Sequence, residues 1–179
     1  MNKMYLKRNA DIKKVVFLSL LTAQAVVLAV VENRLPISVS VLGIKIGLAN
    51  IITLVSLVFF SFYDTILIVM IRCIIISLLI SGQELFMFSF FGGVLSAIIM
   101  WFMLRFTGRL FSFVGISIAG SISHIIGQLL IASFIISDIS VISHLPVLMV
   151  SGILYGCCTG ICSTFMVKVL KKLIFFEYI

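Results

Sequence analysis

Arg72 stands near the middle of DTILIVMIRCIIISLLISG, residues 64–82, where almost every neighbour is hydrocarbon. A guanidinium at the centre of a bilayer costs at least roughly 2.5 to 3.5 kcal/mol on insertion scales, so an arginine there faces a polar interior, a partner or a ligand. Its planar fork of donors suits an anionic or carbonyl-rich group. Further along, in VGISIAGSISHIIGQLLIASFII, Ser117, Ser121, His124 and Gln128 step by three or four residues and share one helix face. Lys45 and Asn50 close a glycine-punctuated connection, and Tyr155 stands in SGILYGCCTGICS beside small residues. The candidate ligand-binding residues are therefore Arg72, Lys45, Asn50, His124, Gln128 and Tyr155. Each also has a plainer reading. Arg72 can pair with Asp64, Glu32, Glu84 or Asp138, or with carbonyls at a helix end. His124 and Gln128 can bond a neighbouring helix, and Tyr155 can satisfy its hydroxyl on a backbone.

Other chemistries find no tools in the chain. No GxxxxGK[ST] loop is present for nucleotide phosphates, and no HExxH or GxSxG. The six acidic residues are scattered singly, so no carboxylate cluster is expected to hold the magnesium that diphosphate chemistry uses. Cys73, Cys157, Cys158 and Cys162 show no CxxC spacing and have no nearby His, which makes them packing residues. No metal site and no cofactor is expected.

The elements that must position these residues are membrane helices. The chain has 179 residues, of which 63% are hydrophobic and 11% charged, a balance far from that of a soluble domain. Apolar runs long enough to cross about 30 Å of hydrocarbon recur along it. Their approximate limits are 15–31, 47–62, 65–82, 85–104, 114–136 and 146–167, the second being short. The expectation is an all-α integral membrane protein with six transmembrane helices in one domain, 15–167, between a basic N-terminal stretch, 1–14, and a basic tail, 168–179. The basic residues before the first run suggest a signal peptide, but the run is too long and ends in ENRLP, so an uncleaved helix is expected.

Lys3, Lys7, Arg8, Lys13, Lys14, Arg105, Arg109, Lys168, Lys171 and Lys172 fall on one side of a six-span topology. Positively charged short loops stay cytoplasmic, so both termini are expected in the cytoplasm and the 32–46 connection outside. The net charge of +7 then reflects topology and lipid headgroups, with nucleic-acid binding a poor second reading. Gly152, Gly156 and Gly160 recur at four-residue intervals and allow close helix approach, as do Ser89, Gly92, Gly93 and Ser96. Ala25 and Ala29 make a smooth stripe on the first helix, suited to another helix of this or another chain. The connection NRLPISVSVLGIKIGLAN is apolar enough to fold back over a cavity, with Lys45 and Asn50 near its mouth.

The segments LPISVSVLGIKIGLANIITL, RCIIISLLISGQELFMFSFFGGVLSAIIM and SHIIGQLLIA resemble the Gx transporter family, also labelled heptaprenyl diphosphate synthase component I. The resemblance covers roughly residues 12–172. That family is similar to the substrate-binding S components of energy-coupling factor (ECF) transporters, and the resemblance implies a six-helix bundle with an occluded site near the outer face. It implies that Ala25 and Ala29, which match an AxxxA spacing, dock a transmembrane coupling subunit served by separate ATPases, and that residues 33–46 act as a gate. No vitamin-binding signature is visible, so the solute does not carry over. The alternatives are a non-catalytic membrane partner of a polyprenyl diphosphate synthase or of a quinone or flavin pathway, and a scaffold whose polar stripes only join helices. A plasma-membrane location is expected.

Overall fold

The computed structural model describes residues 2–34, 47–80, 83–106, 111–136 and 145–176. Among them are six helices: α1 (Asn2–Arg34), α2 (Asn50–Phe59), α3 (Phe62–Ile80), α4 (Gln83–Phe106), α5 (Phe113–Ile136) and α6 (Leu145–Phe176). Five contain apolar stretches long enough to cross a bilayer: Ile12–Arg34, Phe62–Leu79, Phe86–Phe106, Phe113–Ile136 and Leu145–Lys172. The all-α membrane bundle read from the sequence is the fold observed.

The second helix departs from its expected limits of 47–62. It has 10 residues, which at the α-helical rise is about 15 Å, half the hydrocarbon thickness. Local backbone sets both ends. Gly47 has φ of +88°, which only glycine adopts readily, and Phe60 turns extended while its N–H still donates to the Ser56 carbonyl. This short helix touches all five others. Asn50, Ile52, Thr53, Leu54, Val55 and Ser56 are all buried on it, as befits a helix enclosed on nearly every side.

Helices α4, α5 and α6 pack most closely, and small residues explain why. A Cβ on Gly156 would lie 2.6 Å from the Ile118 Cα, and one on Gly160 would lie 2.6 Å from the Val114 Cα. The glycine stripe of α6 is thus the seat of α5. On the other side of α5, a Cβ on Gly127 would lie 3.0 Å from the Gly92 Cα on α4. Backbones this close gain dispersion contacts that lipid tails do not supply. Ser117 and Thr159 add a hydroxyl pair 2.8 Å apart across the α5–α6 seam.

Helix α1 lies against α3 and α2. Ala25, 1% exposed, packs with Ile52, Val55, Ile68 and Val167; Ala29, 8% exposed, packs with Ala49 and Ile76. The Ala25/Ala29 stripe expected to receive a partner subunit is therefore filled by the chain's own α2, α3 and α6. A small-residue stripe signals close helix approach without saying whose helix approaches. At the end of the bundle where α1 enters the apolar zone, Lys14 Nζ lies 2.8 Å from Asp64 Oδ2. Asp64 also accepts from the Ser61 backbone N–H at 3.2 Å and from its hydroxyl at 2.7 Å, capping the start of α3.

Candidate functional site

Arg72 is carried on α3, about 15 Å along the axis from Phe62 and so near the middle of the span. It is only 4% exposed. Asp64, one of its expected partners, is engaged with Lys14 instead. Among the described residues no carboxylate forms an ion pair with Arg72, and its hydrogen-bonding contact is Nη2 to Cys73 Sγ at 4.0 Å. The guanidinium has room because α4 carries glycine opposite it: a Cβ on Gly93 would stand 2.9 Å from Arg72 Nη2.

The buried cation lines a small cavity of about 20 Å³ together with Ala29, Glu32, Gly47, Ala49, Cys73, Ile76, Ser89 and His124. That volume matches about one water molecule. Four helices and the turn before α2 build it. At its rim, a Cβ on Gly47 would meet Asn50 Nδ2 at 2.7 Å and His124 Cδ2 at 3.2 Å, so these two side chains flank Gly47. Asn50 is fully buried, and among the described residues neither its Oδ1 nor its Nδ2 has a hydrogen-bond partner. Leaving a buried donor or acceptor unmet costs about 1–3 kcal/mol per group. His124 Nε2 and Gln128 Nε2 are 2.8 Å apart on α5, and a Cβ on Gly92 would lie 3.0 Å from Gln128 Cγ and 3.1 Å from His124 Cε1. Glycines of α4 thus make space for the polar face of α5 as well as for Arg72.

Glu32, at the end of α1, accepts hydrogen bonds from the Gly47 N–H and from the Leu48 N–H, the latter at 3.1 Å. The carboxylate ties α1 to the start of α2, where unsatisfied amides and the helix dipole favour negative charge. Its charge shares the cavity with Arg72 without pairing to it.

The sequence-derived candidates fall into three groups. Arg72, Asn50, His124 and Gln128 converge on this cavity and its rim. Tyr155 does not line it; it is half-buried on α6, one turn before Thr159, whose hydroxyl donates to the Tyr155 carbonyl at 2.9 Å. Lys45, with the rest of the 35–46 connection, lies outside the described residues. Sequence reasoning gave Glu32 only the role of a possible partner for Arg72, and it missed Gly47 and Ser89 as cavity residues. The one available signal was the position of Glu32 as an acid directly after the first apolar run, 15–31.

A bundle of apolar helices around a buried arginine that has no carboxylate partner among the described residues defines a multi-pass membrane protein with polar groups in its interior. The profile of the family described as heptaprenyl diphosphate synthase component I matches residues 21–166. The match spans most of the chain, which therefore belongs to that family, the one its sequence resembles. Comparison with curated proteins and with solved structures gives no match to either.

Proposed function

We propose that this chain is the substrate-binding subunit of an ECF-type importer, taking a small anionic or carbonyl-rich solute at Arg72 and passing it to an ATP-driven coupling module. The observation that carries the proposal is that Arg72, 4% exposed, has no carboxylate partner among the described residues, and that Asn50, beside the cavity residue Gly47, has an amide with none among them either. Glu32, which shares the cavity, accepts from the Gly47 and Leu48 amides, and a buried cation without its own partner is destabilising, so a ligand that supplies an anion to the guanidinium accounts for its retention. Arg72 and Asn50 contact the solute, and the His124–Gln128 pair presents polar atoms at the rim. The cavity of about 20 Å³ represents a closed state, which must widen to admit anything larger than water. Both termini lie in the cytoplasm of a plasma-membrane protein, and the chain itself performs no catalysis.

With Ala25 and Ala29 taken up internally, the coupling subunit docks on the outward face of α1. Ala23 and Val27 are exposed there and line two clefts, of about 620 and 460 Å³, on either side of the helix. The family description supplies the second reading, a non-catalytic membrane partner of a polyprenyl diphosphate synthase. Affinity purification from native membranes separates the two. Recovery of a transmembrane coupling protein with its ATPases supports the importer. Recovery of a soluble prenyl synthase in their place overturns it.

A further inference from the structure

The geometry points to a headgroup site for an anionic phospholipid at the opposite end of the span from the Glu32 cavity, in a cleft of about 580 Å³ where α2 and α4 end and α3 and α5 begin. Phe60, Phe62, Tyr63, Trp101, Arg105 and Phe113 form its polar and aromatic wall, with Leu57, Val58 and Leu104 completing an aliphatic floor.

Depth is the first argument. Phe62 and Phe113 open their apolar spans, and Arg105 lies one residue before the end of another, Phe86–Phe106. A cleft built from the ends of three spans lies at the boundary between hydrocarbon and headgroups. Trp and Tyr favour that boundary because their rings are apolar and their N–H and O–H groups are not. Trp101 is held in the wall by Phe62 and Phe106, with ring centroids at 5.2 and 6.2 Å.

Charge is the second. Arg105 is exposed in the last turn of α4 and makes no ion pair or hydrogen bond with any described residue. Lys14, at the same end, is already neutralised by Asp64. Among the described residues the cleft therefore carries one cation without a counter-charge, with a fork of donors that matches a phosphate diester. Lys168, Lys171 and Lys172, exposed at the end of α6, do not line the cleft. The clefts beside α1 have no such group. Among the described residues Asp64 is the only charged one lining either, and Lys14 occupies it.

The third is shape. An aliphatic floor continuous with the spans takes the upper acyl chains, while Arg105 takes the phosphate. A free anion would gain only the second contact, which is why the occupant is a lipid.

The test offers purified protein equimolar palmitoyl-oleoyl phosphatidylglycerol and palmitoyl-oleoyl phosphatidylcholine and counts bound lipid by native mass spectrometry. The wild type should retain phosphatidylglycerol preferentially. Arg105→Gln should cut that preference about fivefold, the equivalent of ~1 kcal/mol per surface cation, while Arg105→Lys keeps most of it. The double variant Lys171→Gln, Lys172→Gln should hold the wild-type preference. Equal retention of the two lipids by the wild type would overturn the site. So would an unchanged preference in Arg105→Gln, or displacement of the bound lipid by millimolar inorganic phosphate.

Discussion

Gly93→Ala separates a seat for Arg72 from ordinary helix packing. The added methyl would stand 2.9 Å from Arg72 Nη2 and 2.9 Å from Val69 Cγ1. Both are ends of side chains and can yield, so the fold should survive with a loss of about 1 kcal/mol or less, below the usual range for overpacking a rigid core. The guanidinium must shift, and a displaced fork loses at least one charge-assisted hydrogen bond to the solute. At about 1.5–3 kcal/mol, that weakens binding roughly ten- to hundredfold. Gly127→Ala is the matched control, because its methyl would meet the Gly92 Cα and the Phe91 carbonyl oxygen, each at 3.0 Å, and backbone does not yield. The assay measures melting in detergent and the fraction of protein carrying a bound small molecule by native mass spectrometry. Gly93→Ala should lose the molecule with only a small drop in melting temperature; Gly127→Ala should show the larger drop. If Gly93→Ala melts as early as Gly127→Ala and still carries its small molecule, the argument that Gly93 seats a ligand-binding arginine is refuted.

Gly156→Val should lower stability by about 1–3 kcal/mol, read as melting temperature in detergent, because its Cβ would fall 2.6 Å from the Ile118 Cα. Ala25→Trp should destabilise the isolated protein, since Ala25 is 1% exposed among Ile52, Val55 and Ile68, whereas Ala23→Trp should leave melting unchanged and reduce recovery of the coupling subunit in a pull-down. Glu32→Gln keeps the shape but removes the charge that accepts from the Gly47 and Leu48 amides. Charge-assisted bonds are about twice as strong as neutral ones, so hydrogen exchange at the start of α2 should rise by about tenfold for ~1.4 kcal/mol lost.

The number and order of the helices were legible because uninterrupted apolar runs leave the chain no other way to satisfy its backbone in a bilayer. Four of the six candidate ligand residues were legible for a related reason: Arg72, Asn50, His124 and Gln128 are expensive in hydrocarbon and so had to point inward. Ala25 and Ala29 marked a helix-facing stripe on α1, but which helix it faces was not legible. Val, Leu and Ala occupy both its sides, and periodicity carries little information when lipid and core are equally apolar. The shortness of α2 depends on the positive φ at Gly47 and the extended Phe60, and apolar flanking sequence hid both boundaries. Glu32 lies far from α2 in sequence and meets it only because the chain returns at Gly47.

The central claim is that Arg72 binds a solute, and native mass spectrometry of the wild type beside Arg72→Lys, with melting recorded on the same samples, tests it most directly. Lysine keeps the charge and loses the fork. The wild type should carry a small molecule that is neither lipid nor detergent, and Arg72→Lys should remain folded and carry much less of it. A wild type with no such molecule would contradict the claim, as would an Arg72→Lys variant that melts earlier yet retains the molecule in full.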